Sequence, residues 1–252
     1  MYPTIEITVP AYSLFASLGL FGMMLVIYFR SERMGISFQQ LLFLVFLLVA
    51  GAGGGSKLMF ILTQVPQLVT EFSFTRMLHV IITSGFVFYG GLFGALLGAY
   101  FFALYYHFEF TDVADMIAPG FAVFHVFGRI GCFFAGCCYG KEAPWGFALY
   151  KEPGVTRIPI QLIESGCILG IVLFLFVIEH RWGKKSRLME SYLFLYSICR
   201  FILEFFRGDE IRGIWAGIST SQWISGFIFI GLIIKWIIEI LAVRKPLQEQ
   251  KS

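Results

Sequence analysis

Hydrophobic positions form long, nearly unbroken stretches along the chain, separated by short polar connections. A helix of about 20 apolar residues crosses the hydrocarbon core of a bilayer, where every backbone polar group must be bonded within its own segment. The pattern predicts an all-α, polytopic membrane protein with seven transmembrane helices, over residues 11–29, 40–65, 80–106, 115–136, 160–179, 189–206 and 221–243. We expect a single integral membrane domain over 1–252, because the polar connections 137–159 and 207–220 are too short to fold alone and suit lids or caps.

Composition strengthens this prediction and excludes other classes. Of the 252 residues, 58% are hydrophobic and only 14% are charged, whereas soluble domains have about 45–50% apolar and about 25% charged residues. A net charge of +3 without a dense basic run excludes nucleic acid as a partner. The first apolar stretch has no basic region before it, so it is predicted to be a span rather than a cleaved signal peptide.

Basic residues in the short loops predict the orientation. With the N-terminus outside, more Lys and Arg residues lie on the inner side than on the outer side, and the largest contribution comes from the loop 180–187. Cytoplasmic loops of membrane proteins carry such an excess. The chain is therefore predicted to be N-out and C-in.

Charged residues inside the apolar stretches are the main candidates for chemistry. An unpaired charge at mid-bilayer costs about 2.5–3.5 kcal/mol on insertion scales, so such residues face a cavity or a partner. The charged residues in or at the edges of spans are Lys57, Asp115, Arg129, Glu164, Arg200, Glu204, Lys235 and Glu239. Lys235 and Glu239 are four residues apart and are predicted to form an ordinary helical ion pair.

The segment R-F-I-L-E-F-F-R at 200–207 is predicted to place three charges on one helical face. Spacings of four and three align Arg200, Glu204 and Arg207, and one carboxylate between two guanidiniums leaves donors for another acceptor. Arginine has a planar fork that matches phosphate oxygens. Arg129 has no carboxylate within helical reach, so its partner must come from another helix or from an anionic ligand.

Three of the five cysteines lie close together, as Cys132, Cys137 and Cys138. They are interpreted either as packing residues or as functional thiols, since a thiolate near Arg129 would have a lowered pKa. Zinc normally needs a fourth ligand, and the sequence has no second C-x-x-C pair, so no metal is expected. Cys167 and Cys199 are predicted to pack between helices.

Glycines at a spacing of four, Gly90, Gly94 and Gly98, are predicted to share one face of the third span, where another backbone can approach. Gly90 and Gly91 have a second interpretation, in which they leave room for a lipid headgroup.

Six ordered blocks resemble those of the prolipoprotein diacylglyceryl transferase family, across about residues 40 to 235. The blocks are G-S-K-L at 55–58, F-Y-G-G-L-F-G at 88–94, G-R-I-G-C-F-F-A-G at 128–136, I-P-I-Q-L-I-E at 158–164, R-F-I-L-E-F-F-R at 200–207 and G-I-S-T-S-Q-W at 217–223. The resemblance implies a seven-span enzyme of the bacterial inner membrane, N-out and C-in. It also implies transfer of the diacylglyceryl group of phosphatidylglycerol to the lipobox cysteine of a prolipoprotein, releasing glycerol phosphate.

The resemblance also implies which residues form the site. The catalytic residues are Arg129, Arg200, Glu204 and Tyr89, of which Tyr89 stands where the family has a histidine. The residues implied in substrate binding are Lys57, Gly90, Gly91, Gln161, Glu164 and Arg207. Cys132, Ala135 and Cys137 replace two asparagines and an acidic residue of the family's pattern.

These departures leave open how the thiol proton is removed. Tyr89 is a poorer base than histidine and can instead donate a hydrogen bond, while Glu204 or an ionised Cys137 accepts the proton. In another hypothesis Cys132 or Cys137 is itself a nucleophile that carries the diacylglyceryl group.

Three functions follow as hypotheses. The first is the family's reaction, with phosphatidylglycerol or a similar anionic phospholipid and a prolipoprotein signal peptide as partners. The second is a divergent relative that transfers a phospholipid-derived group to a different acceptor. The third is a non-enzymatic lipid or anion transporter, for which inverted repeats would be expected but are not apparent. None of them requires a cofactor, since the sequence has no nucleotide-binding glycine loop.

Overall fold

The computed structural model describes residues 10–70, 88–149, 152–183, 187–208, 214–215 and 217–249. This part of the chain forms seven α-helices: α1 (Ala11–Arg33), α2 (Phe38–Thr70), α3 (Phe88–Tyr106), α4 (Phe110–Phe134), α5 (Ile160–Trp182), α6 (Leu188–Leu203) and α7 (Thr220–Glu249). Each predicted stretch overlaps one of these helices, but 115–136 and 189–206 run two and three residues past the ends of α4 and α6, and residues 80–87 lie outside the described residues. The predicted helical membrane fold is confirmed.

Five helices of the described chain are long and apolar enough to cross a membrane, namely α1, α2, α4, α5 and α7. The apolar part of α3, Gly90–Tyr106, is shorter, and α6 has 16 residues. The number of seven spans and the N-out orientation therefore stay predictions.

Two small antiparallel ribbons occupy the polar connections. They pair β1 (Glu142–Leu149) with β2 (Glu152–Arg157), and β3 (Ile214–Trp215) with β4 (Ile218–Ser219). Arg157 of β2 forms ion pairs within the first ribbon. Its Nη2 lies 3.3 Å from Glu142 Oε1 of β1 and 2.8 Å from Glu152 Oε2 of β2. The connections expected as lids or caps thus contain hairpins, while the fold class remains helical.

Capping boxes fix the starts of two helices. At α2, the Ser37 backbone N–H donates to Gln40 Oε1 at 2.8 Å, and the Gln40 N–H donates to Ser37 Oγ at 3.3 Å. At α7, Ser219 and Gln222 exchange the same bonds at 3.0 and 3.2 Å. Each box satisfies backbone donors that the first turn leaves unpaired. The box at α7 lies next to Ser221, in the first turn of the same helix.

The chain divides into two compact units, one comprising Met1–Ile27 and Ile117–Ser252 and the other Tyr28–Met116. The core of the first unit lies among α4, α5 and α6, where Ala122, Ile168, Leu175 and Tyr192 are buried together. The single domain over 1–252 stays a prediction.

The second unit is organised by close approach of α2 and α3. A methyl group added at Gly94 would lie 1.9 Å from the carbonyl oxygen of Gly51, and one at Gly98 would lie 2.5 Å from that of Leu47. Only glycine permits this separation, so the predicted glycine face is a helix-packing surface.

Candidate functional site

Glu164 of α5 lies at the centre of a buried group of charges. Its side chain is 2% exposed, and its two oxygens contact arginines from two other helices. Oε1 lies 3.0 Å from Arg129 Nη2 of α4, and Oε2 lies 3.5 Å from Arg200 Nη1 of α6. The partner of Arg129 therefore comes from another helix, as the sequence required.

Arg200 and Arg207 both approach Glu204, but they do not share a helical face as predicted, because the α-helix ends before Glu204. Arg200 Nη2 is 2.8 Å from Glu204 Oε2, and Arg207 Nε is 3.9 Å from the same oxygen. Helix α6 ends at Leu203 and continues as a single 3₁₀ turn, after which Arg207 is extended. Arg200 Nη2 also donates to Ser221 Oγ at the start of α7, at 3.1 Å.

Together Arg129, Glu164, Arg200, Glu204 and Arg207 form what we call the inner cluster. Its three guanidiniums and two carboxylates carry an excess of one positive charge. Its side chains are between 2% and 16% exposed. Within the described residues, Arg129 Nε is buried without a hydrogen-bond acceptor. A buried donor without a partner costs about 1–3 kcal/mol, so an acceptor is favoured at this position.

Aromatic side chains that the sequence analysis missed support the inner cluster. The Tyr196 hydroxyl donates to Glu164 Oε1 at 2.9 Å, and Arg129 Nη2 lies 3.5 Å from the same hydroxyl. His125 Nδ1 lies 2.8 Å from the Tyr192 hydroxyl. The sequence does contain a pattern that indicates these neighbours. Tyr192 and Tyr196 precede Arg200 at intervals of four residues, and His125 precedes Arg129 by four, so each series lies on one face of its helix.

The three cysteines are brought together by the C-terminal cap of α4. The backbone N–H of Gly136 bonds the carbonyl of Phe133 at 3.1 Å, and that of Cys137 bonds the carbonyl of Cys132 at 3.1 Å. Gly136 has a positive φ of 67°. This is a Schellman motif, which places the side chains of Cys132 and Cys137 side by side.

The next residue completes a cluster of three thiols. Cys138 also has a positive φ, 55°, and the Sγ atoms of Cys132, Cys137 and Cys138 all lie within 4.8 Å of one another. We call this group the thiol cluster. Gln161 Nε2 donates to the carbonyl of Cys137 at 2.7 Å and anchors the turn to α5.

The two thiols that follow α4, those of Cys137 and Cys138, differ in the direction of their pKa shifts. Hydrogen bonds from Cys132 and Cys137 lower the pKa of Cys138, and Arg207 and Arg129 lower it further. A hydrogen bond from Cys132 lowers the pKa of Cys137, but a hydrogen bond with Cys138 and burial together raise it above its ordinary value. The hypothesis of an ionised thiol therefore fits Cys138 better than Cys137.

Backbone pairing holds the thiol cluster beside Arg207. The N–H of Lys141 bonds the carbonyl of Phe206 at 2.9 Å, and the N–H of Gly208 bonds that of Tyr139 at 3.0 Å. The chain after the cysteines is thereby joined to the chain after α6. Six of the predicted site residues, the inner cluster and Gln161, are thus brought together with the three predicted thiols.

The remaining predicted site residues belong to the second compact unit. Gly90 and Gly91 lie at the start of α3, where added methyl groups would be 2.3 Å from the carbonyl oxygen of Gly55 and 2.6 Å from Ser56 Oγ. Lys57 is partly buried in α2. The side chain of Tyr89 lies outside the part of the chain whose side chains are described. The roles of Tyr89, Gly90, Gly91 and Lys57 stay predictions.

The fold and the inner cluster define a helical membrane protein in which arginines from separate helices converge. Comparisons with known proteins agree with this class. The family model for prolipoprotein diacylglyceryl transferase matches residues 2–238. The chain belongs to the prolipoprotein diacylglyceryl transferase family, so the resemblance in its sequence is confirmed.

Relatives match over most of their length. A protein of Clostridium perfringens (strain 13 / Type A) named phosphatidylglycerol–prolipoprotein diacylglyceryl transferase 2 is 32% identical over 246 residues, covering 95% of this chain and 94% of the relative. The transferase of Clostridium tetani (strain Massachusetts / E88) is 29% identical over 230 residues, covering 88% and 90%. That of Polynucleobacter asymbioticus is 32% identical over 204 residues, covering 77% and 76%. The prediction of a transferase family is confirmed.

Proposed function

We propose that this protein transfers the diacylglyceryl group of phosphatidylglycerol to the lipobox cysteine thiol of a prolipoprotein and releases glycerol phosphate. Its membership of the family and the names of its relatives support this reaction. The proposal includes a location in the bacterial inner membrane, with the N-terminus outside and the C-terminus inside.

The observation that carries the proposal is the charge excess of the inner cluster. A phosphatidylglycerol headgroup contains one phosphodiester and therefore one negative charge. The three guanidiniums and two carboxylates carry one positive charge in excess, so one bound headgroup would neutralise them. Buried charges are stable only when they are paired, and this match selects a singly charged anion.

The reaction needs positive charge at the departing phosphate. The acceptor sulfur attacks the glycerol carbon, the C–O bond breaks, and its electron pair stays on a phosphate oxygen. Preorganised guanidiniums stabilise such developing charge, and Arg129 and Arg200 are proposed to do so. Glu164 holds both of them in position, since its two oxygens contact one each.

The other predicted residues take supporting roles in the proposal. Glu204 orients Arg200, and Arg207 adds charge beside the phosphate. Gln161 holds the turn that carries the cysteines. Lys57, Gly90 and Gly91 are proposed to contact the lipid, and Tyr89 is proposed to donate a hydrogen bond during transfer.

The test is product analysis with purified protein in detergent. Incubation with phosphatidylglycerol and a lipobox peptide should yield a thioether-linked lipopeptide and glycerol phosphate, both identified by mass spectrometry. Failure alongside an active relative would reject the proposal. A peptide with serine in place of the lipobox cysteine is the matched control and should remain unmodified.

Two further measurements test the other hypotheses, one on phosphatidylglycerol without the peptide and one on sealed vesicles. If phosphatidylglycerol is consumed without the peptide, the acceptor is a different molecule. If labelled lipid crosses the bilayer of a sealed vesicle without chemical change, the protein is a transporter.

Glu204→Gln tests the proposed role of Glu204 in orienting Arg200, and unchanged turnover in that variant would remove Glu204 from the mechanism.

A further inference from the structure

We propose that Cys132, Cys137 and Cys138 form a zinc site whose open fourth position binds and activates the acceptor thiol. This inference rests on the proposed function for its catalytic consequence, but the metal site itself does not. The sequence predicts no metal, because it offers no fourth protein ligand. The structure changes that interpretation, because it brings the three thiols within 4.8 Å of one another. Three protein ligands are enough for a catalytic zinc site, which leaves its fourth position for substrate.

The geometry of the thiol cluster suits one zinc ion. The three Sγ atoms lie within 4.8 Å of one another. With Zn–S bonds of about 2.3 Å, tetrahedral coordination needs sulfurs about 3.8 Å apart. The sulfurs must therefore approach one another by up to about 1 Å, which side-chain rotation can supply. Thiolate ligands favour soft or borderline metal ions such as Zn²⁺ over Mg²⁺ and Ca²⁺.

Packing alone does not account for this arrangement. The left-handed backbone of Cys138 is unfavourable for a side chain other than glycine, by about 1–2 kcal/mol. The cap places two of the thiols together, and the third joins them at an energetic cost.

The cluster is also held in place and electrostatically supported. Gln161 anchors the backbone of Cys137, so the turn is fixed from a neighbouring helix. Zinc bound to three thiolates has one net negative charge. The guanidinium of Arg207 adjoins this turn through the backbone pairing after α6 and would offset part of that charge, while Arg129 and Arg200 are the groups proposed to face the phospholipid phosphate.

The proposed step balances in atoms and charge. The thiolate, not the thiol, is the nucleophile, and coordination to zinc displaces the proton from the acceptor thiol. The sulfur then forms its bond to the glycerol carbon while the C–O bond breaks. The displaced proton neutralises the phosphate oxygen of the released glycerol phosphate. No oxidant or reductant is needed.

Zinc binding is tested on the full-length, reduced and metal-stripped protein in detergent. Titration with Zn²⁺, followed by elemental analysis, should give about one zinc per chain. Titration with Co²⁺ should give the near-ultraviolet absorption of thiolate-to-cobalt charge transfer. A reduced protein that retains no zinc, or a cobalt complex without this absorption, overturns the proposal.

Cysteine variants locate the ion, with controls within the same chain. Cys132→Ser, Cys137→Ser and Cys138→Ser should each weaken zinc affinity by about 100-fold or more. Cys167→Ser and Cys199→Ser change a neighbouring thiol pair outside the cluster and should leave affinity unchanged. Equal losses in all five variants would contradict the site. Titration of the wild-type protein keeps the test valid if a variant fails to fold.

The acceptor's role has a readout of its own. Adding a lipobox peptide to the cobalt protein should change its visible spectrum, because a fourth thiolate enters, whereas a peptide with serine at that position should not. Removal of zinc should abolish transfer, and its return should restore transfer. Full transfer by metal-free protein overturns this inference and leaves the proposed function standing. Zinc binding without transfer rejects the proposed function and leaves the metal site standing.

Discussion

Two clusters of charged side chains involve helix α6, and they differ in burial and in charge balance. The inner cluster surrounds the C-terminal end of α6. At the N-terminal end, Arg187 and Glu190 contact Lys235 and Glu239 of α7. We call this group the outer cluster, where inner and outer refer to burial in the protein and not to the two sides of the membrane. The outer cluster has two positive and two negative side chains, whereas the inner one has one positive charge in excess.

Exposure separates the two clusters further. The side chains of Arg187, Lys235 and Glu239 are 52%, 45% and 36% exposed, and only Glu190, at 15%, is as buried as the inner cluster. Glu164 and Glu204 are each 2% exposed. The predicted helical pair Lys235–Glu239 is present at 3.8 Å, but Lys235 lies closer to Glu190 across the helices. Similar ion pairs therefore connect α6 to α7 at the N-terminal end of α6 and form the candidate site at its C-terminal end.

The largest contrast is expected for activity. Arg129→Ala should lower the rate of diacylglyceryl transfer by about 10²–10³-fold, because one preorganised charge at the departing phosphate is lost. Arg187→Ala, in the outer cluster, should leave the rate unchanged. The measurement is lipopeptide formed per unit time with phosphatidylglycerol and a lipobox peptide. Similar losses in both variants would show that helix α6, rather than the anion site, is being disturbed.

A contrast in stability is expected for the two carboxylates that each contact two cations. Glu164→Gln leaves Arg129 and Arg200 buried without a charge between them, and should destabilise the protein by about 3–5 kcal/mol. Glu190→Gln should cost less than Glu164→Gln, because its cationic partners Arg187 and Lys235 are 52% and 45% exposed and are not left as buried unpaired charges. Denaturant unfolding in detergent micelles measures both. Equal losses would contradict the difference assigned to burial.

A smaller effect is expected from the aromatic donors. Tyr196 donates to Glu164 at 2.9 Å, and in the outer cluster Trp236 Nε1 donates to Glu190 Oε2 at 2.6 Å. Tyr196→Phe should cost about 1–3 kcal/mol, because a buried carboxylate loses a hydrogen-bond donor. The unfolding measurement that compares Glu164→Gln with wild type also detects this change. A stabilised Tyr196→Phe variant would show that the hydroxyl is not needed to satisfy Glu164.

The smallest effect concerns salt. A double-mutant cycle for Arg187 and Glu239 should give a coupling below about 1 kcal/mol that decreases as ionic strength rises, because exposed charges are screened. The cycle for Arg200 and Glu204 should be nearly independent of salt. Unfolding at low and high salt provides both values, and an equal salt dependence would mean that water reaches the inner cluster.

Local rules explain why much of the site was predictable. The pairing of Arg200 with Glu204 follows from helical spacing, whereas the contact of Arg207 with Glu204 depends on the 3₁₀ turn that ends the helix and was not given by the pattern. The aromatic residues Tyr192 and Tyr196 show the same spacing, but tyrosine is common in apolar helices, so the pattern alone did not mark them as partners of a charge.

The sequence by itself determined the helical membrane class, the helix positions and the family, because apolar stretches of bilayer length and ordered motifs are properties of the chain. It also required a partner for Arg129 from elsewhere. Only the tertiary structure decided that this partner is Glu164, that Glu164 is shared with Arg200, and that the Cys138 thiol joins the other two. The physical reason is that contacts between helices depend on packing and on backbone angles such as the positive φ of Cys138, which residue types do not specify.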